Sequence, residues 1–213
     1  MAQSPARAAL VVDVVASRSH PDRAALHERL VEAFARTAAD FPAERAPGVT
    51  VGDEFQATYA TLGAAIGVAF AVRLELAPQV EIRAGFGYGA ATALADEAGA
   101  ADGPAWWAAR DAIVEVEERA GRAATKHARF AYRTADETAP PPAAVDPALA
   151  CLDQLLGPLD ERSWRVLRGL VDDVPQQELA QQLRISTSAV SQRVRGHGLA
   201  VAAQAIRDLR SLP

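Results

Sequence analysis

Residues 48–60 read GVTVGDEFQATYA, and this stretch determines which fold the chain can adopt. Its pattern predicts two short strands on either side of a Gly-Asp-Glu turn. An amphipathic pattern precedes it in residues 22–40, where large apolar residues recur at i, i+4 spacing. A strand pair that follows a helix is typical of a mixed α and β fold.

The regions around this hairpin alternate between strand and helix patterns. Residues 8–17, AALVVDVVAS, form a near-continuous apolar run, as in a buried strand. Downstream, Thr61 is placed to cap a helix, and the glycine-rich 79–91 is a strand pattern. A helix over 102–121 and a strand over 127–135 follow. The order β-α-β-β-α-β-α-β predicts an α+β fold with a ferredoxin-like sheet.

The segment 134–147 reads TADETAPPPAAVDP and has no helical or strand period. Three consecutive prolines are typical of a linker. We therefore expect an α+β domain over 1–138, a proline-rich linker over 139–147 and a small all-α domain over 148–213. The last region is helical throughout by pattern, with three or four short helices.

Charge, cysteine content and the length of apolar runs limit the classes of protein to which the chain can belong. The net charge is −5, but residues 184–210 carry five Arg against one Asp, a local basic face that suits a phosphate backbone. The single cysteine excludes an internal disulfide and a cysteine-based zinc site. No apolar run approaches 18 residues, so we expect no membrane span and a cytoplasmic protein.

A helix-turn-helix pattern covers residues 176–195. Ala180 is small where two helices would cross, and Leu183 and Ile185 bracket a tight turn. Ser186 would cap the second helix and direct its N-terminus at phosphate. The predicted outward residues that suit DNA contacts are Arg184, Thr187, Ser188, Ser191, Gln192, Arg193 and Arg195. Ser191, Gln192 and Arg195 are assigned to bases, and Arg184 and Arg193 to phosphates. The alternative is a helical bundle with a solvated polar face.

This pattern resembles the helix-turn-helix of LuxR-type regulators and of the fourth domain of sigma factors, over about residues 158–212. Those families often have Gly in the turn where this chain has Arg184. A left-handed backbone there costs a non-glycine residue free energy. The resemblance implies that the C-terminal helices bind DNA, so that DNA is a partner of the protein.

Two acids are candidates for a cation site. Asp13 lies within an apolar strand, where an unpaired carboxylate is costly. Asp53 lies at the hairpin tip, and the two carboxylates converge if their strands are neighbours. Close carboxylates repel unless a cation such as Mg²⁺ lies between them, often together with ligand phosphates. The alternatives are a charged tight turn at Asp53 and backbone hydrogen bonds to Asp13. Glu54 is interpreted as solvated.

Four motifs occur in the order seen in class III nucleotidyl cyclases and the related GGDEF-type domains: VVDVVASR, VTVGDEFQATY, EIRAGFGYG and DGPAWWAAR. They are most similar to the SatD-like family, over nearly all of residues 8–135. That resemblance implies a cyclase-type domain that pairs into a homodimer and, with Mg²⁺, binds a nucleotide-like ligand. The residues it implies for metal are Asp13 and Asp53. Those it implies for the ligand are Ser17, Arg18, Gly52, Arg83, Trp106 and Arg110.

The same resemblance predicts that catalysis is lost. Trp106 stands where active cyclases have Asn, and Val49 where they have a purine-selecting Lys. We therefore expect a transcription regulator, not an enzyme, that binds a pseudo-palindromic DNA site as a homodimer. The alternatives are an active cyclase or other phosphoryl-transfer enzyme with a DNA-binding tail, and a dimeric protein-interaction scaffold.

Overall fold

The computed structural model describes residues 5–17, 20–49, 54–93 and 101–213. The strands are β1 Ala6–Val14, β2 Arg45–Val49, β3 Phe55–Tyr59, β4 Ile82–Ala90, β5 Thr92–Ala93, β6 Ala101–Asp102 and β7 Phe130–Thr134. The helices are α1 Arg23–Thr37, α2 Leu62–Leu76, α3 Pro104–Ala120, α4 Pro142–Leu156, α5 Glu161–Val171, α6 Gln176–Leu183, α7 Thr187–Gly196 and α8 Leu199–Arg210. The predicted α+β class is confirmed.

The five main strands form one sheet in the order β2-β3-β1-β4-β7. Strand β1 lies antiparallel to both β3 and β4, and β2 lies antiparallel to β3. This is the βαββαβ order of a ferredoxin-like sheet. Helix α3 then leads back to β7, which pairs parallel with β4. The predicted alternation agrees, and β5 and β6 add a small two-stranded sheet before α3.

The two faces of the sheet carry different layers because successive side chains of a strand point to opposite faces. Leu10 and Val12 of β1 belong to the main core with α1 and α2. Ala9 and Val11 pack on the other face against α3. We call this second surface the α3 face; Asp13 follows the same alternation and lies on it.

Two glycines of β4 let α3 approach the sheet closely. A Cβ at Gly87 would lie 2.0 Å from the carbonyl oxygen of Ala105, and one at Gly85 would lie 2.3 Å from that of Ala109. A side chain at either position would therefore displace the helix backbone. These glycines serve helix packing, one of the two roles that alternate glycines in a strand can have.

The predicted linker at 139–147 is not an extended spacer, because α4 begins at Pro142. Proline is tolerated at the first helical position, where its missing N–H needs no partner. The buried side chains of α4 recur with helical spacing, from Val145 to Leu149, Leu152 and Leu156. Burial of this apolar face, and not local propensity, stabilises the helix.

A buried ion pair joins the sheet to the C-terminal helices. Asp153 of α4 accepts a hydrogen bond from Arg73 Nη1 of α2 at 2.7 Å, and others from the N–H groups of Arg129 and Phe130 at 2.6 and 3.0 Å. Burial raises the pKa of Asp153, while Arg73 and the two N–H groups oppose this rise. The Arg73 guanidinium also lies over the ring of Trp164 in α5, 5.5 Å from its centroid.

The main core runs without a break from β1 to α8. The start of α2 is also bonded to the end of the described chain: the N–H groups of Leu62 and Gly63 donate to the carbonyls of Pro213 and Leu212. A Cβ at Gly63 would lie 2.3 Å from the carbonyl oxygen of Arg210. The helices after residue 141 thus pack directly on the sheet layer.

Candidate functional site

Asp13 is held by an arginine on the neighbouring strand. It lies directly opposite Arg83 of β4, whose Nε donates to the carboxylate at 2.9 Å. Arg83 also pairs with Glu117 of α3 at 3.0 Å. Burial would lower the pKa of Arg83, but the two carboxylates outweigh it and raise that pKa. The structure therefore brings the predicted residues Asp13 and Arg83 together, as an ion pair.

Arg110 of α3 is held by Glu54, the residue before β3. Both terminal nitrogens of the Arg110 guanidinium donate to the carboxylate, Nη2 at 2.7 Å. Gln56 also donates to Glu54, at 2.8 Å. The hydrogen bonds that Arg110 donates to Glu54 raise the pKa of Arg110. The interpretation of Glu54 as a solvated side chain was wrong, since its side chain is only 20 % exposed and is paired.

The two adjacent tryptophans of α3 have opposite environments. Trp106 is 6 % exposed and packs with Ala9 and Val11 of β1. The guanidinium carbon of Arg45, in β2, lies 5.7 Å from its ring centroid. Trp107 is 60 % exposed, and its Nε1 donates to Asp102 at 2.8 Å. Trp106 therefore belongs to the α3 face, and Trp107 to the outer surface of the helix.

Several predicted ligand residues lie outside the described part of the chain: Arg18, Gly52 and Asp53. Val49 lies in β2, but its side chain is likewise not described. The described residues contain no cluster of three or more His, Cys, Asp or Glu side chains that could hold a metal. Asp13 alone, already paired with an arginine, does not fit Mg²⁺. The predicted metal site therefore depends on Asp53.

Ser17 lines a pocket of about 230 Å³ next to the start of α1. Its side chain is buried, with 6 % exposed. Arg23 and His27 supply polar groups, and Leu26, Leu30 and Phe55 form the apolar lining. This places one residue implied by the cyclase resemblance in a concave surface at a helix N-terminus.

Helices α6 and α7 are joined by a tight turn. Arg184, directly after α6, has a left-handed backbone with φ 53° and ψ 44°. Ser186 caps α7 by accepting a hydrogen bond from the N–H of Ala189 at 3.1 Å, as predicted. Val190 and Val194 are buried, so α7 turns its polar residues away from the core.

The exposed face of α7 contains most of the predicted DNA residues. Arg184, Ser186, Thr187, Ser188, Gln192 and Arg195 are exposed, and Ser191 is half-buried. Arg193 differs, because its guanidinium bonds Asp160 at 2.8 and 3.0 Å and Ser163 at 3.0 Å. This side chain therefore ties α7 to the start of α5, and the assignment of Arg193 to phosphate stays a prediction that would require it to leave Asp160.

Two exposed arginines of α5 were not selected from the sequence, and one of them lies near the turn between α6 and α7. Arg162 and Arg165 of α5 are exposed and have no ion-pair partner among the described residues. Arg165 lines a groove with Gln182 and Leu183, next to the turn at Arg184. Their i, i+3 spacing opposite the apolar stripe of α5 was the signal that could have identified them.

The fold and site define an α+β protein with a ferredoxin-like sheet, an ion-paired α3 face and a closely packed helical C-terminal region. The chain belongs to the SatD family, whose profile matches residues 7–209. The match includes α4 to α8, so these helices are part of the family's own architecture and not a separate fusion.

Three solved structures are similar over part of their length. Two are structures of a bacterial light-regulated adenylyl cyclase, at 16% identity with TM-score 0.47 and at 17% with TM-score 0.45. They cover 60% and 62% of this chain, which spans 42% and 77% of theirs. The third is a regulator of polyketide synthase expression from Bifidobacterium adolescentis, at 16% identity and TM-score 0.34, covering 98% of this chain and 83% of that one. No curated protein matches the chain.

No helix in the described part of the chain is both long enough and apolar enough to cross a membrane.

Proposed function

We propose that the protein is a DNA-binding transcription regulator in which α6 and α7 form a helix-turn-helix. The observation that carries the proposal is the exposed polar face of α7, with a left-handed residue in the turn before it. A helix with such a face fits the major groove, where Ser and Gln side chains reach base edges and Arg reaches guanine. The second helix, α7, is the recognition helix in this proposal.

The unpaired arginines around α7 support the proposal through charge. Arg162, Arg165, Arg184 and Arg195 are exposed, and none has an ion-pair partner among the described residues. Arginines without an internal partner can neutralise phosphates and release counterions. In this proposal Gln192, Ser191 and Arg195 contact bases, while Arg184 and the two arginines of α5 contact the phosphate backbone.

The sheet is proposed to bind a nucleotide or related phosphorylated ligand on its α3 face. Arg83 and Arg110 supply the positive charge, and each is balanced by a carboxylate of the chain. In this proposal Mg²⁺ binds only if Asp13 and Asp53 act together as its ligands. A homodimer on a pseudo-palindromic site is proposed as well, with Val114, exposed on α3, as a candidate contact residue.

We propose no cyclase activity. The arginine that would stabilise a transferring phosphoryl group, Arg110, is engaged by Glu54. Trp106 presents one buried indole N–H where active cyclases have an asparagine. Neither observation favours a phosphoryl-transfer enzyme over a binding protein.

Fluorescence anisotropy tests the DNA-binding proposal. Double-stranded DNA selected from a random pool by the full-length protein is titrated at several salt concentrations. We expect Gln192→Ala to relax sequence preference at one position of each half-site, and Arg165→Ala to weaken binding to all sequences and flatten the salt dependence. Arg36→Ala, an exposed arginine on α1, is the matched control. Selection that enriches no sequence would contradict the proposal.

A further inference from the structure

Helix α3 covers only part of the α3 face of the sheet. The helix packs mainly on β4, β7 and β1. Strands β2 and β3 lie beyond β1 at the other edge of the sheet. On β3, Gln56 and Thr58 point to the α3 face because they alternate with Phe55 and Ala57 of the main core. A row of polar side chains therefore borders α3 on this side.

Arg45 and Trp106 meet at the end of this row. Arg45 lies opposite Thr58 in the β2–β3 ladder, and its guanidinium extends over the Trp106 ring. Trp106 precedes Arg110 by four residues on α3, so both lie on one side of the helix. The Arg45–Trp106 pair thus lies one helical turn from the Arg110–Glu54 pair, along the same border.

Both side chains have a buried N–H group without an acceptor. Trp106 Nε1 and Arg45 Nη1 are shielded from solvent and make no hydrogen bond within the described structure. Arg45 also has no ion-pair partner among the described residues. A buried donor without an acceptor costs free energy, so such groups in native proteins call for a partner. Because the Arg45 guanidinium lies over the Trp106 ring, one acceptor beside this pair of side chains would serve both groups.

We propose that Arg45 and Trp106 form a binding site for an oxyanion, a phosphate or carboxylate group of a ligand on the α3 face. Arginine supplies charge and a planar pair of donors, and the indole N–H adds a directed one. No carboxylate of the described chain competes at this point, unlike at Arg83 and Arg110. An anion that binds Arg45 would therefore displace no carboxylate of the described chain.

This inference rests on the ligand-binding half of the proposed function and locates where the ligand's anionic group binds. A ligand that bridges the Arg45–Trp106 end and the Arg110 end would span one turn of α3, roughly 6 Å. That length suits a compact organic anion.

Titration of the ¹⁵N-labelled full-length protein tests the site. The chain has three tryptophans, so it gives few indole N–H signals, and Trp106→Phe and Trp107→Phe assign two of them. Inorganic phosphate and acetate are added in separate titrations, which distinguish a phosphate site from a carboxylate site. We expect the Trp106 indole signal to move with saturation and the Trp107 signal, bonded to Asp102, to stay.

Binding by variants supplies the second measurement. Loss of one hydrogen bond to a charged group should weaken binding about tenfold or more. We expect this for Trp106→Phe, which keeps the ring, and for Arg45→Gln. Trp107→Phe, the matched control one residue away, should bind as the wild type does. If Arg45→Gln does not fold, the oxyanion affinity of Trp106→Phe still tests the site.

Two results would overturn the inference. One is an indole signal of Trp106 that no oxyanion moves, as expected if an ordered water alone satisfies it. The other is a nucleotide-induced rise in melting temperature that persists fully in Trp106→Phe and Arg45→Gln; the ligand would then bind elsewhere, and the proposed function would stand. Failure of DNA binding alone would leave the titration unchanged and count only against the regulator proposal.

Discussion

Arg184 holds a left-handed backbone in the turn between α6 and α7, with φ 53°. The sequence predicted this cost, because glycine is common at that position in the families it resembles. We expect Arg184→Gly to stabilise the fold by up to about 1 kcal/mol, since the relief of left-handed strain exceeds glycine's entropic cost in the unfolded chain. Denaturant unfolding measures this. The same variant should bind DNA more weakly, because a phosphate contact is lost; a destabilised variant would contradict the argument.

Asp160 couples α5 and α7 through charge. Its hydrogen bonds with Ser163 and with Arg193 lower its pKa from 3.8 to about 2. A depressed carboxyl pKa contributes stability that is present above the unfolded value and lost as the pH falls. We therefore expect wild-type stability to decline from about pH 4 to pH 2 through this group, and Asp160→Asn to show a smaller decline.

The control for that experiment is Asp136→Asn. Asp136 also has a lowered pKa, caused by its hydrogen bonds with Thr138, and among the described residues it forms no hydrogen bond or ion pair with α5 or α7. Chemical denaturation at fixed pH values gives both profiles. Equal acid dependence in wild type and Asp160→Asn would show that the Arg193 contact contributes nothing to stability.

Individual site residues were predictable where a local pattern defined them. The cap at Ser186 and the turn at Arg184 follow from short-range sequence rules, and the structure has both. The partners of Glu54 and Arg193 did not follow, because each ion pair joins residues far apart in the chain. Arg45 was missed for the same reason: nothing near it in sequence indicates that it lies over Trp106.

At the scale of elements, the alternation of strands and helices was predictable because hydrophobic period distinguishes them. Helix α4 was not, since its first residues follow a run of prolines that is typical of a linker. Only contact with the core shows why it forms: Val145, Leu149 and Leu152 are buried against the sheet layer. Local composition therefore did not predict α4, because packing against the rest of the core stabilises this helix.

Two residues of helix α3, Trp106 and Arg110, lead to a prediction about cyclase activity. We expect no cyclic nucleotide from ATP or GTP with Mg²⁺ or Mn²⁺, because an indole N–H cannot replace an asparagine amide and Arg110 is bound by Glu54. Mass spectrometry of the reaction mixture over hours measures product. Glu54→Gln, which leaves Arg110 with a weaker partner, should remain inactive. Sustained turnover that disappears in Arg110→Ala would show that the chain is an enzyme.

At the scale of the whole molecule, any influence of ligand on DNA binding must pass through packed elements. Residues 142–147 of the predicted linker belong to helix α4, and the Arg73–Asp153 pair joins this helix to α2. If the α3 face binds a nucleotide that alters this packing, DNA affinity should change, and DNA should change nucleotide affinity by the same factor. Anisotropy with and without saturating nucleotide, and the reverse titration, measure both factors. No effect in either titration would contradict the coupling and reduce the sheet to a dimerisation platform.

The unbroken core from β1 to α8 has a consequence for how the protein melts. A chain whose halves were joined by a flexible spacer would absorb heat in two separate steps. Here removal of α4 to α8 would uncover Phe70 of α2 and Phe130 of β7 at once. We expect scanning calorimetry to give a single peak whose calorimetric and van't Hoff enthalpies agree. Arg73→Met should lower the temperature of that peak without dividing it in two.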